Sequence, residues 1–299
     1  MTLQQLKYIT TVAQKASLTE AAKELYISQP SLTKSIKELE TEMGISIFDR
    51  NNKGVSVSKD GEVFLAYARQ VLEQASLLEE KYKAHTGVKR EFCVSTQHYS
   101  FAVNAFVDLI KNCGSDIYDF SIRETQTYEI IEDVARMNSE IGILYHNDFN
   151  KTVLMKMIKS NDLQFTELFT AKPHIFVSKG NPLSEKESVT MEELSAYPYL
   201  SFEQGEHNAF YYSEEIFSTV IRSKNIRVRD RATLFNLLIG LNGYTVCSGV
   251  IDKKLNGENI VAIPLKAEGE MHIGFVTHNK IPLSRLGELY IGALKNYIT

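Results

Sequence analysis

Residues Tyr26–Glu40 read YISQPSLTKSIKELE, and the two sides of this stretch call for different surroundings. On a helical wheel, Leu32, Ile36, Leu39 and the following Met43 fall within about 40° of one another and form a stripe to be buried. Thr33, Lys34, Lys37 and Thr41 lie about 100–200° away from Leu32, with Pro30 among them. Gln29 and Ser31 crown the N-terminal end. Ser28 is placed to cap the helix, and Pro30 is tolerated in its first turn because a missing N–H there loses no bond. Gly44 stops it.

What precedes and follows decides what the outer face is for. Thr2-Leu-Gln-Gln5 and Ser17-Leu-Thr-Glu20 are capping boxes, each marking a helix start. The first helix is expected to bury Leu3, Leu6, Ile9, Val12 and Ala13. The second is short and ends near Leu25, with Ala21 and Ala22 small enough for another helix to cross closely. After Gly44, apolar alternation on both sides of Asn51-Asn52-Lys53-Gly54 predicts a β-hairpin. Crossed helices followed by a hairpin make a winged helix-turn-helix over residues 1–58. In that motif the start of the second crossed helix enters the DNA major groove. There Gln29 can bond an adenine edge, Ser31 and Thr33 can bond most bases, and Lys34 and Lys37 can reach guanine or phosphate. Taken alone, the lysines could equally be a solvated face. The wing cations Arg50, Lys53 and Lys59, together with the two capped helices, favour DNA because one fold needs them all.

Residues 59–87 contain almost no helix breaker. Phe64, Ala68, Val71, Ala75, Leu78 and Tyr82 step by 4 and 3, a heptad seam about three repeats long. This predicts a linker helix that pairs with a second copy; the alternative is a helix packed on its own domain. Gly87 ends it. From residue 88 the pattern changes. EFCVST, FSIRET and EIGILY are strand-like and alternate with helical FAVNAFVDLIKN and TYEIIEDVARMN, which implies a largely parallel sheet. PHIFVS, YPYLSF, a helix around EEIFSTVI, IRVR, TLFNLLIGLN and YTVCS form a second set, and MHIGFVTH with LSRLGELYIGALKNYI resumes the first. The fold class is therefore α/β multidomain. Residues 88–299 divide into lobe I (about 91–161 and 267–299) and lobe II (about 162–266), with crossovers near Leu163–Leu168 and Ile260–Leu265. Such sheets bind ligands at the carboxyl ends of their strands.

Composition fits this reading. The chain has 299 residues, 43% of them apolar and 23% charged, enough for more than one core. Residues 1–90 hold 13 Lys+Arg against 11 Asp+Glu, and the remainder 20 against 26, so only the N-terminal part is basic. No apolar run approaches the roughly 20 residues that span a bilayer, and MTLQQLKYIT does not read as a secretory signal. A cytoplasmic protein with no membrane partner is expected. Cys93, Cys113 and Cys247 are odd in number, widely spaced and set in apolar runs, so they read as buried hydrophobes. The seven histidines are scattered and suggest no metal site.

At this point the chain resembles a known family. LQQLKYITTVAQKASLTEAAKELYISQPSLTKSIKELETEMGISIFDR, followed by GVSVSKDGEVFL, is similar to the DNA-binding domain of LysR-type transcriptional regulators. The remainder resembles that family's effector-binding domain, a two-lobed fold like type-II periplasmic binding proteins, through element order and GLNGYTVCSGV. The resemblance implies double-stranded DNA with a dyad operator, a homo-oligomer built as a dimer or a pair of dimers, a small co-inducer between the lobes, and RNA polymerase as partner if the protein activates. It implies no cofactor. It carries Gln29, Pro30, Ser31, Thr33, Lys34 and Lys37 over as recognition-helix residues, and Arg50 as a wing residue near the backbone. Many members have Arg at the position of Lys34; Lys lacks the planar two-donor fork, which favours a phosphate contact here.

The family's pocket lies at strand ends. Here the first strand runs into Ser95-Thr96-Gln97-His98-Tyr99-Ser100, the second ends at Glu124-Thr125-Gln126-Thr127, and Ser201-Phe-Glu-Gln-Gly205 holds the corresponding place in the other lobe. Hydroxyls and amides at helix starts suit an anion. Thr96, Gln97, His98, Ser100, Thr125 and Ser201 are the candidate effector contacts; plain N-capping is the alternative for each, and a backbone-bonded ring for His98. A carboxylate, amino acid or sulfate-like anion fits. Ser31–Lys34 and Ser56–Lys59 match S-x-x-K without its companion motifs, and no G-x-S-x-G, H-E-x-x-H, phosphate-binding loop or G-x-G-x-x-G occurs. A regulator is thus preferred over a small-molecule binder whose N-terminal helices only dimerise it, and over an enzyme on a two-lobed scaffold.

Overall fold

The computed structural model describes residues 1–51, 54–82, 90–114, 117–207, 209–251 and 258–298. Helix α1 (Leu3–Lys15) starts at a complete capping box between Thr2 and Gln5. In α2 (Leu18–Glu24), Ser17 accepts from the Glu20 N–H, but the Glu20 carboxylate pairs with Lys23 at 2.8 Å instead of closing the box. Helix α3 (Gln29–Met43) is capped by Ser28 and ends at Gly44, whose φ of 70° is the left-handed conformation that glycine adopts freely. Leu6, Ile9, Val12, Ala21, Ala22, Leu32, Ile36 and Leu39 form one core, as the spacing requires, whereas Leu3 is exposed.

The wing is an antiparallel pair, β1 (Phe48–Asn51) and β2 (Gly54–Val57). The Glu40 carboxylate ties it to α3 by accepting from the Ile47 and Phe48 N–H groups at 2.7 and 3.1 Å. Helix α4 (Lys59–Tyr82) leaves the wing with its first turn pressed on the wing's base. A Cβ at Gly61 would sit 2.0 Å from the Ile47 carbonyl oxygen, so only glycine fits. The seam along α4 divides. Ala68 is buried in the N-terminal core and Phe64 packs on it, but Val71 and Leu78 are exposed. The first half therefore follows the own-domain reading, and the second half presents an uncovered apolar edge. The Tyr82 side chain, Gly87 and Lys53 lie outside the described residues. Helix α4 also meets the C-terminal part directly: Arg69 Nη1 donates to the Met137 carbonyl (2.8 Å) and Gln70 Nε2 to that of Pro282 (2.6 Å).

The described residues between 90 and 298 form two five-stranded mixed sheets. Lobe I has β3 (Arg90–Thr96), β4 (Tyr118–Glu124), β5 (Ile141–His146), β6 (Leu163–Ala171) and β12 (Met271–His278) in the order β4-β3-β5-β12-β6. Helices α5 (Ser100–Asn112), α6 (Thr127–Ala135), α7 (Lys151–Ser160) and α10 (Arg285–Leu294) accompany it. Lobe II has β7 (His174–Ser178), β8 (Tyr199–Phe202), β9 (Asn225–Val228), β10 (Tyr244–Cys247) and β11 (Ile260–Pro264) in the order β11-β7-β10-β8-β9, with α8 (Met191–Leu194) and α9 (Arg231–Leu241).

Three expectations are corrected. The segments expected as bare crossovers are strands: β6 pairs with β12 in lobe I, and β11 with β7 in lobe II. The first passage between lobes thus follows Ala171 rather than residue 161. The sheets are mixed because β12 runs antiparallel to both neighbours, and β10 and β11 are antiparallel to β7. Finally, EEIFSTVI is not a helix. Phe217 takes a φ of 64°, Ile221 is 98% exposed, and Glu214 and Glu215 are drawn inward to the inter-lobe cleft. Ile216, Val220 and Ile221 imitate helical spacing in a segment that begins with two buried acids and turns at Phe217.

Candidate functional site

Two surfaces carry chemistry, the outer face of α3 and the cleft between the lobes. On α3, burying Leu32, Ile36 and Leu39 turns Gln29, Pro30, Ser31, Lys34 and Lys37 to solvent. Ser28 Oγ accepts from the Ser31 N–H, and the two hydroxyls lie 2.7 Å apart, so the Ser31 side chain is fixed at the helix start. Lys34 Nζ is 3.9 Å from Glu38, a loose and exposed pairing that leaves the ammonium free to turn elsewhere. Thr33 is half-buried, and its Oγ1 has no hydrogen-bond partner among the described residues. Arg50 lies in β1 opposite Val55. Tyr26, in the turn before α3, is 95% exposed at a φ of 54°, an unusual setting for an aromatic residue that the sequence reading did not single out.

In the cleft, the β3–α5 connection of lobe I meets the 202–215 region and the start of α9 from lobe II. His98 is the pivot. Its ring stacks on Phe202 at a centroid distance of 3.7 Å and an interplanar angle of 3°. Nδ1 lies 2.8 and 3.1 Å from the two Glu214 oxygens, and Nε2 lies 3.0 Å from the Arg229 carbonyl oxygen. Both ring nitrogens face acceptors, so only the imidazolium, with two N–H groups, satisfies them together. Burial alone would lower the His98 pKa, but the Glu214 carboxylate, with Glu124 and the Arg229 carbonyl, outweighs it and the net shift is upward. Glu214 Oε2 also accepts from the His98 backbone N–H at 3.0 Å.

The neighbours complete a closed contact. Arg231 Nη2 reaches Glu124 Oε1 across the cleft at 2.9 Å. The Thr127 N–H donates to Gln204 Oε1 (3.1 Å), and Thr127 Oγ1 donates to the Tyr212 carbonyl (2.7 Å). Glu215 is buried and accepts from the Phe202 N–H at 2.8 Å; burial, with the adjacent Glu214 charge, pushes its pKa up to about 8. It is therefore mostly a neutral acid at pH 7. Behind His98 lies a cavity of about 50 Å³, lined by Tyr99, Ser100, Glu214, Arg231, Thr245 and Cys247 among others. That volume is far below the several hundred Å³ of a ligand-filled pocket. A second opening between the lobes, about 260 Å³, has Tyr145, Asn147 and Phe149 on one side and Phe210, Ile216 and Phe217 on the other.

The cleft gathers only part of the expected set. His98 and Ser100 line the cavity. Thr96 and Gln97 are fully buried and committed within the protein: Thr96 Oγ1 donates to the Gln97 carbonyl, and Gln97 bridges Thr127 Oγ1 (2.6 Å) and the Tyr145 N–H (3.0 Å). Thr125 donates to Glu129, and Ser201 is buried in β8 outside the cavity lining. Glu214, Glu215, Phe202, Arg231 and Thr245 escaped the sequence reading. The two acids fall in the segment expected as a helix around EEIFSTVI; Glu214 takes its role from the strand-end His98 of the other lobe, and Glu215 from the Phe202 N–H of its own. Asp230, which caps α9 through the Thr233 N–H at 2.8 Å, was a readable signal that Arg231 stands at a helix start.

Comparison with known proteins follows the same division of the chain. The model of the bacterial regulatory helix-turn-helix protein, lysR family, matches residues 3–62, and that of the LysR substrate binding domain matches residues 118–298. The uncharacterized HTH-type transcriptional regulator YybE of Bacillus subtilis is 25% identical over 207 residues, covering 69% of this chain and 68% of the relative. YbhD of Escherichia coli, also an uncharacterized HTH-type transcriptional regulator, is 23% identical over 99% of this chain and 92% of its own. Among solved structures, full-length OxyR from Pseudomonas aeruginosa is similar in fold, with a TM-score of 0.60 at 21% identity, covering 99% of this chain and 98% of that one.

Proposed function

The chain belongs to the LysR family of bacterial helix-turn-helix transcriptional regulators, with an effector-binding domain, and on that premise we propose that it reads a dyad operator through α3 and responds to a small anion held between its lobes. The family is one of regulators rather than enzymes. The observation that carries the DNA reading is the exposed start of α3, where Gln29 and Ser31 stand free of the core while Leu32, Ile36 and Leu39 anchor the helix behind them. Gln29 reads an adenine edge, Ser31 and Thr33 add donors, and Lys34, Lys37 and the wing's Arg50 and Lys53 take phosphates. The exposed apolar edge at Val71 and Leu78 supports pairing of α4 with a second copy, so that two recognition helices face two half-sites. A pair of such dimers, and RNA polymerase as the partner of an activator, follow from the family reading.

The effector site is the cleft at His98 and Ser100. Its support is the imidazolium and the backbone amide of His98 in the β3–α5 connection, both of which already hold a carboxylate. Because the cavity is small, binding requires the lobes to part, which gives the effector its leverage on the rest of the molecule. A gel-shift and footprint on DNA upstream of the protein's own gene and its neighbours, with and without organic acids, tests both halves. A protected dyad whose extent changes with one acid is the expected result; the absence of any specific, salt-sensitive complex would overturn the reading.

A further inference from the structure

Three buried donors and one carboxylate line the inter-lobe cavity behind His98. Tyr99 Oη, Thr245 Oγ1 and Arg231 Nη1 are buried and have no hydrogen-bond partner among the described residues, and all three side chains line the cavity behind His98. Thr245 is only 4% exposed. An orphaned buried donor costs free energy comparable to a lost hydrogen bond, so three around one cavity call for an acceptor-rich occupant. The fourth group is Glu214. Its carboxylate sits against the His98 amide at 3.0 Å and the His98 imidazole at 2.8 Å, lines the same cavity, and comes from the other lobe.

We propose that this cavity is the seat of a carboxylate-bearing effector, and that Glu214 is a built-in stand-in which holds the seat, and the lobes, until the effector displaces it. The inference rests on the cleft being the effector site and adds the ligand class and the group it must outcompete. Carboxylate is favoured over a tetrahedral oxyanion by the stand-in itself, whose two oxygens both lie within 3.1 Å of Nδ1. The surrounding charge agrees. Glu124 is paired with Arg231, so Glu214 is the carboxylate that balances the His98 imidazolium, and an occupant that takes its place must carry the same charge. An incoming carboxylate restores neutrality and offers further oxygens to Tyr99, Thr245 and Arg231. Glu214, displaced from His98, no longer joins the lobes, since the Gln204 amide that donates to it at 3.2 Å lies in its own lobe.

The test uses the full chain and acetate as probe, with sodium chloride and sodium sulfate at matched ionic strength. In Glu214→Ala the stand-in is gone and its space is left, so acetate should raise the unfolding midpoint saturably by about 2–4 °C beyond the chloride control, whereas wild type should follow the control. The double variant Glu214→Ala/Thr245→Val should lose most of this gain. Should Glu214→Ala fail to fold, Glu214→Gln keeps the shape without the charge and should bind acetate about tenfold more tightly than wild type, read by calorimetry. Equal acetate response in wild type and the Glu214 variants, or equal response to acetate and sulfate, overturns the proposal. Acetate rescue without any organic acid altering the DNA footprint of wild type would uphold the seat while removing the effector reading; an acid that alters the footprint with no acetate rescue would do the reverse.

Discussion

Replacing Glu215 by glutamine should stabilise the effector-binding domain in a way that grows with pH. Glu215 is 3% exposed, and its carboxyl pKa is raised from the ordinary 4.5 to about 8, first by burial and then by the adjacent Glu214 carboxylate. Because the folded pKa lies above the unfolded one, the folded state binds the proton more tightly. The contribution is therefore fully present below about pH 4.5 and is lost as pH rises towards 8. Integrating between the two values gives a loss of about 1 kcal/mol at pH 5, about 3 at pH 7 and a plateau of about 5 above pH 8. Glutamine cannot ionise, yet its Oε1 can still accept the Phe202 N–H. Its extra amide donors carry a cost that does not depend on pH, so the pH trend isolates the carboxyl. The stability difference between Glu215→Gln and wild type should widen by about 2–3 kcal/mol from pH 5 to pH 7 in urea unfolding followed through the effector domain. A difference that stays constant within about 0.5 kcal/mol across that range would refute the claim that Glu215 is held neutral.

Other expectations concern DNA and assembly. Gln29→Ala should cost about 1–3 kcal/mol on the specific operator and little on random DNA, measured by competition gel-shift; equal losses would rule out base reading. Lys37→Ala should reduce the salt dependence of binding by about one unit of slope per monomer if the ammonium meets a phosphate. An unaltered slope removes that contact. Leu78→Asp places a charge at a position 61% exposed in the single chain, so the fold should survive while self-association weakens. An unchanged sedimentation profile would show that the second half of the α4 seam joins nothing.

Much of the architecture was legible because local rules act at short range. The caps at Thr2, Ser17 and Ser28, the stop at Gly44 and the stripe Leu32–Ile36–Leu39 each depend on residues a few positions apart. Even the reason for glycine at position 61 is a contact with the wing only fourteen residues back. The strands β6 and β11 were hidden because their partners lie about a hundred residues away, and neither has a regular alternation of its own. The segment from Glu214 failed more instructively, since apolar spacing there imitates a helix while Glu214 and Glu215 are buried and Phe217 takes a left-handed φ.

The sequence by itself determined the winged helix-turn-helix, the face that α3 turns outward and the alternation of strands and helices in two lobes apart from β6 and β11, because periodicity and capping are properties of neighbouring residues. Only the tertiary structure decided the cleft. Thr96 and Gln97 look like ligand contacts in sequence and are spent on holding strand ends together. Glu214 and Glu215 look like solvent-facing acids and are buried between the lobes. The physical reason is that burial and charge pairing across the cleft join residues more than a hundred positions apart, as His98 and Glu214 are joined, and such a pairing leaves no trace in local pattern.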